Sequence, residues 1–121
     1  MQSDSLKRLE DARAACVRIG HFVESKVKAE FIASELLRSA VERQVEIIGE
    51  SLGRAAVMDP DVEPRVPDLR KIVGMRNRLI HGYDEVDYNI VRDVVSTRIP
   101  ELLRQLNHAL ESGEVDLPAT T

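Results

Sequence analysis

The sequence predicts an all-α domain of four helices, and three observations carry that expectation. Aromatic residues are 3% of the chain, with no Trp, whereas sandwiches and barrels lean on aromatic and β-branched side chains. Gly and Pro number only 6 and 5, too few to turn many short strands. Apolar residues instead recur at steps of three and four, the spacing of one helix face. With 121 residues, 43% apolar and 31% charged, the chain makes a single domain, 1–121, around one modest core. A disordered or fibrous composition is excluded.

The first stripe is Leu6, Leu9, Ala12, Cys16, Ile19, Phe22 and Val23, an amphipathic helix. Cys16 lies on that stripe with no basic or His neighbour at helical spacing, so it reads as a small core residue rather than a reactive thiol. His21 reads as structural. A long second helix is expected from near Lys28 to about Val57, with Ile32, Leu36, Leu37, Val41, Val45, Ile48, Leu52 and Ala55 on one face. Gly49 and Gly53 sit inside it, each costing about 1 kcal/mol of helix propensity against Ala. Four residues apart, they share a face and let another helix approach closely, within the subunit or across a dimer. Glu42, Glu46, Glu50, Arg43 and Arg54 form a solvated or interfacial polar face.

Between Asp59 and Pro67, three prolines in nine residues end that helix and make a linker. A third helix is expected over about 68–80, with Asp68 at its start and Gly82 as its stop. Asp87 then caps a fourth helix carrying Ile90, Val91, Val94, Val95 and Ile99. Pro100 is expected to kink or break it before Leu102, Leu103, Leu106 and Leu110 continue the stripe. A tail from about 112 is expected to be disordered.

A single Cys excludes an internal disulfide and favours a reducing cytoplasm. No apolar run approaches the roughly 20 residues of a membrane span, and the N-terminus is too polar for a signal peptide. The expectation is therefore a cytoplasmic protein without a membrane. Net charge is −4, which argues against a wholly basic nucleic-acid-binding surface. Yet residues 65–78 hold Arg65, Arg70, Lys71, Arg76 and Arg78 against Asp68 alone. That segment is either a solvated charged face or a local anion site.

Arg76 falls in the middle of the third helix's apolar stripe of Leu69, Ile72, Val73, Leu79 and Ile80. A guanidinium buried there without a partner would cost several kcal/mol. It either pairs with Glu46 or Glu50 or lines a cleft where an anion arrives. His81 stands five residues on, beside Gly82, where a helix C-terminus favours imidazolium. It is a helix cap or an acid–base group. Tyr83 is a surface ring, a core ring or a phenol over the same cleft. No cluster of carboxylates, His and Cys at metal spacing occurs, so no metal and no cofactor are expected.

The run Met75-Arg76-Asn77-Arg78-Leu79-Ile80-His81-Gly82-Tyr83 resembles the signature of the HEPN superfamily in its HepT-like branch of bacterial toxins: Arg, often Asn, three more residues, His, any residue, Tyr. The likeness extends along almost the whole chain, through Val41, Val45, Glu46, Ile47, Ile48, Gly49 and Glu50, then Pro67, Ile72, Asp87 and Ile99-Pro100-Glu101-Leu102. Many relatives carry a Pro-Trp pair before the motif. This chain has Pro67, Asp68 and then Leu69 near the expected Trp, a departure that touches none of the three chemical positions.

The resemblance implies an up-and-down four-helix bundle of the HEPN type with a kinked or broken last helix. It also implies a homodimer whose two motifs share one cleft, and metal-independent ribonuclease activity with Arg76 and His81 catalytic. The implied partner is a nucleotidyltransferase-family antitoxin able to AMPylate Tyr83. The chemistry agrees: RNA cleavage by its own 2′-hydroxyl needs a base, an acid and a cation for the phosphorane. Two copies of Arg76 and His81 would supply the set. Asn77 would hold the motif backbone or a 2′-hydroxyl, and Arg78 a flanking phosphate. The other classes are a non-catalytic substrate-binding or regulatory subunit of a nucleotidyltransferase, and a dimeric scaffold with a purely structural motif.

Overall fold

The computed structural model describes residues 1–81 and 86–115, with side chains for 1–78 and 86–111. Every element among them is helical: α1 (Ser3–Val23), α2 (Lys28–Ala33), α3 (Glu35–Met58), α4 (Val62–Arg65), α5 (Leu69–His81) and α6 (Tyr88–Val115). Four long helices form the bundle and two short ones fill its corners.

Specific contacts fix the alternating directions. Asp59 at the end of α3 bonds Gln2 and Ser5 at the start of α1, so those two helices run antiparallel. Asp68 ahead of α5 donates its N–H to Gln105 late in α6 at 3.0 Å. Arg92 early in α6 reaches the carbonyl of Lys26, just past α1, at 3.1 Å. Helix α3 thus lies between α1 and α5, and α6 closes against α1. This is the up-and-down arrangement expected from the sequence.

The stripes of α1, α3, α5 and α6 meet in one core. Leu9, Ala12, Cys16 and Ile19 face Val41, Val45, Ile48, Leu52 and Ala55, with Leu69 and Ile72 on one side and Val91, Val95, Ile99, Leu102 and Leu106 on the other; all are buried. Burial pushes the Cys16 thiol up to about 12, so at neutral pH it is an inert core residue.

Three expectations are corrected. The long second helix is two, because Ser34 leaves helical geometry (φ −101°, ψ 103°) and its Oγ accepts from Leu37 N–H at 3.1 Å, capping α3. The break lets α2 turn Phe31 into the core, where it is fully buried; on a continuous helix it would stand about 80° from the Val41 face. Leu36, expected on the core face, is 83% exposed, because five residues before Val41 it stands about 140° round α3 from the buried face. The proline-rich linker is more than a linker: α4 sinks Val62, and Val66 after it, into the core.

The break expected at Pro100 does not occur: α6 runs as one helix through it. Pro100 donates no N–H, but buried Ile99, Leu102 and Leu106 hold the chain on both sides of it. Asp87 caps α6 as expected, its Oδ1 accepting from Asn89 N–H at 3.0 Å. The chain beyond Val115 lies outside the described residues.

The latch between α1 and α3 generates a prediction. Buried Asp59 accepts from Gln2 N–H (3.0 Å), the Ser5 hydroxyl (2.7 Å) and Asp61 N–H (2.9 Å). These donors hold its carboxyl below the usual range against the opposing effect of burial. A depressed folded pKa means the stabilisation is complete above the unfolded value of about 3.9 and is lost as pH falls through the folded one. Asp59→Asn should therefore lose about 1–3 kcal/mol at pH 7 in urea titration. Its stability should also fall less steeply than wild type below about pH 4.

Candidate active site

Helix α5 offers its buried face, Leu69, Ile72 and Met75, to the bundle. Arg76 follows Ile72 by four residues and so lies on the α3 side of the same helix. What admits it is Gly49. A Cβ at that position would stand 2.5 Å from Arg76 Cγ, 2.6 Å from its Cβ and 2.9 Å from its Cδ, well inside van der Waals contact. The stem of Arg76 thus lies directly on the backbone of α3, and the glycine anticipated as a point of close approach serves that end within the subunit. Gly53, one turn on, has nothing within 4 Å of an added Cβ.

Arg76 reaches the edge of an open groove of about 610 Å³ between α3 and α5, lined by Gly49, Glu50, Gly53, Arg54, Val57, Met58 and Val73. Its Nη1 donates to Asn77 Oδ1 at 3.1 Å, and its buried Nε has no hydrogen-bond partner among the described residues. The proposed pairing with Glu46 or Glu50 is not what the described residues show. Glu50 instead meets Arg54 at 3.3 Å. A half-buried guanidinium at the edge of a groove is suited to a phosphate, which accepts charge-assisted bonds from such a fork.

Asn77, itself exposed, accepts from Arg76 through its Oδ1. Arg78, two residues after Arg76, is turned by about 200° from it and is exposed on the outer face of α5 beside Lys71. Arg70, also outward, is held by Glu63 at 2.7 Å. The positive segment therefore divides between solvent and groove. The backbone of His81 closes α5, but its side chain lies outside the described residues, as do Gly82 and Tyr83.

The sequence did not single out a second polar group beside this one. Tyr88 Oη donates to Glu42 Oε2 at 3.0 Å, and the Arg38 guanidinium lies 4.9 Å from the Tyr88 ring centre. Burial raises the Tyr88 pKa, with the Glu42 bond and charge adding to it and Arg38 opposing. Arg38 and Glu42 are one turn apart on α3, a signal that was present in the chain. Their partner is 46 residues further on, which was not.

An antiparallel bundle carrying this Arg-Asn run on the helix that ends at His81 is of the HEPN type. The ribonuclease HepT-like family model matches residues 12–109, and the chain belongs to that family. Relatives agree. The chain is 32% identical over 94 residues to a Thermococcus cleftensis protein named probable ribonuclease HepT, covering 78% of this chain and 84% of that one. It is 34% identical over 82 residues to a provisionally named RNase of Caldanaerobacter subterraneus, covering 68% and 72%. A similarly named Methanocaldococcus jannaschii protein is 30% identical over 94 residues, covering 78% and 77%. No solved structure matches the chain significantly. Among the described residues, no helix is long and apolar enough to cross a membrane.

The glycines separate by substitution. Gly49→Ala should destabilise by about 1–3 kcal/mol, because the methyl meets the base of Arg76 and not its flexible end. Gly74→Ala on exposed α5 meets nothing within 4 Å and should stabilise by up to about 1 kcal/mol. Urea unfolding of both variants reads the two signs.

Proposed function

We propose that this chain is a metal-independent ribonuclease and the toxin of a toxin–antitoxin pair, cutting RNA in a site completed by two copies of itself. The observation that carries the reading is Arg76, its stem seated on Gly49 and its side chain lining an open groove, on the helix that ends at His81. The names of the relatives, ribonucleases all, point the same way.

In the proposed reaction, one His81 takes the proton of an RNA 2′-hydroxyl, and the 2′-oxygen attacks the adjacent phosphorus. The phosphorus–O5′ bond breaks, leaving a 2′,3′-cyclic phosphate and a 5′-hydroxyl whose proton comes from the second His81. The two Arg76 guanidiniums neutralise the charge that builds on the phosphorane. One subunit has one suitable His, so the set needs a two-fold partner. The groove supports a second copy there: its floor is open at Gly53, and Val57 at its rim is 88% exposed.

Neutralisation is proposed to act at Tyr83. A nucleotidyltransferase antitoxin attaching AMP to that hydroxyl would add bulk and an anion beside the motif, competing with RNA phosphate for Arg76.

Arg76→Ala and His81→Ala should each lower RNA cleavage by about 10²–10⁴-fold with helicity and size unchanged. Well-folded variants that cut normally would overturn the assignment. Light scattering should give twice the 13.6 kDa of one chain, and a persistent monomer would remove the composite site. Co-expression with the partner should place AMP on the Gly82-Tyr83 peptide by mass spectrometry. Tyr83→Phe should stay toxic beside the partner; full silencing of that variant would point to inhibition by complex formation.

A further inference from the structure

The groove that Arg76 lines is larger than one phosphate needs. Its volume is about 610 Å³, and pockets that hold whole small ligands run from roughly 300 to 1,000 Å³. Val57, Met58 and Val73 give it apolar surface. Glu50 and Arg54 line it as well, one turn apart on α3, with Glu50 Oε1 and Arg54 Nη2 separated by 3.3 Å. Both side chains are about half exposed, and a pair of that kind adds little to stability. Its place in the groove beside Arg76 gives it another use.

We propose that the groove is a base-recognition site selective for guanine, in which Glu50 and Arg54 read the Watson–Crick edge while Arg76 holds the phosphate of the same nucleotide. This rests on the ribonuclease reading above and adds which nucleotide the site takes.

The argument is one of matched donors and acceptors. A carboxylate only accepts hydrogen bonds and a guanidinium only donates them, so the pair presents two acceptors and then a donor, side by side. Guanine carries the complement on one edge, with N2–H and N1–H donating and O6 accepting. Each Glu50 oxygen has two lone pairs, so the one that meets Arg54 can also take a base donor. Arg54 has donors beyond the Nη2 turned to Glu50, and these are available for O6. Adenine, cytosine and uracil each have one ring or amino donor on that edge and would turn an acceptor toward the carboxylate. Their mismatch forfeits the charge-assisted bonds that guanine makes.

The spacing suits a single nucleotide. Gly49, under the stem of Arg76, and Arg54 are five residues apart, about 7.5 Å along α3 at 1.5 Å per residue. Between them Gly53 leaves the floor open, since an added Cβ there would meet nothing within 4 Å. The Met58 thioether and the Val73 methyls offer the flat face of a base an apolar surface. None of the described residues lining the groove is aromatic, so hydrogen bonds at the base edge, rather than stacking, decide which base is held. The second copy proposed above meets the exposed Val57 rim and leaves this floor to the nucleotide.

The test is equilibrium binding of the four nucleoside 3′-monophosphates to the full-length protein by titration calorimetry, which needs no cleavage. Guanosine 3′-monophosphate should bind about 10- to 100-fold more tightly than the other three, the range of one well-matched bidentate contact. Glu50→Gln replaces one acceptor by a donor and should bring all four within about threefold. Arg54→Ala should lower the preference by about tenfold, and Arg54→Lys, which restores a donor, should recover part of it. Arg76→Ala should weaken all four alike, because it removes the phosphate contact. Thermal midpoints of the Glu50 and Arg54 variants should move by no more than about 5 °C. Equal affinities in the wild-type protein, or no binding, would overturn the guanine site; so would equal loss of all four nucleotides in Glu50→Gln. Cleavage of a polyuridine oligonucleotide with one internal guanosine separates this proposal from the reading beneath it. Cuts that flank the guanosine support both. Cuts made without regard to base would overturn guanine selection and leave the ribonuclease assignment standing, whereas selective guanosine binding without any cleavage would overturn the ribonuclease assignment alone.

Discussion

The stem of Arg76 occupies the space where any side chain at position 49 would begin, and much of the molecule follows from that one close approach. It sets how near α5 lies to α3. A larger residue would lift the cation away from the helix and loosen the packing of Ile72 and Met75 behind it. Because the glycine removes the only atoms in the way, a charged residue in the middle of an apolar stripe can bury its methylenes and still bring its head to the groove. A structural demand and a chemical one are met by the same contact.

Helix α3 is consequently the reference rod of the protein. At its far end Asp59 ties down the start of α1; at its near end Glu42 ties down the start of α6; between them Gly49 takes α5. Each tie is polar or sterically exacting and is backed by an apolar stripe that would tolerate sliding by itself. Apolar burial drives the four long helices together without direction, and these few contacts select the register.

Electrostatics on this small acidic domain is local. A net charge of −4 gives no long-range pull on RNA, and the cations of residues 65–78 do not act together. Arg70 is held by Glu63, Lys71 and Arg78 face solvent, and Arg76 reaches the groove. The segment thus presents a solvated face on one side of α5 and a single guanidinium at the groove on the other.

By itself the sequence determined the helices, their apolar faces, the inert role of Cys16 and the oddity of Arg76, because each follows from spacing within about two turns of the chain. It also showed that Gly49 needed a reason. What occupies the space above Gly49 was decided only when α5, 27 residues on, packed across it. The hydrogen bond from Tyr88 to Glu42 spans 46 residues, and local periodicity carries no information about such a pair. The break at Ser34 was missed for a related reason. The stripe from Ile32 to Leu37 fits a continuous helix locally, and the capped break at Ser34 goes with the burial of Phe31 against the rest of the bundle, a tertiary contact.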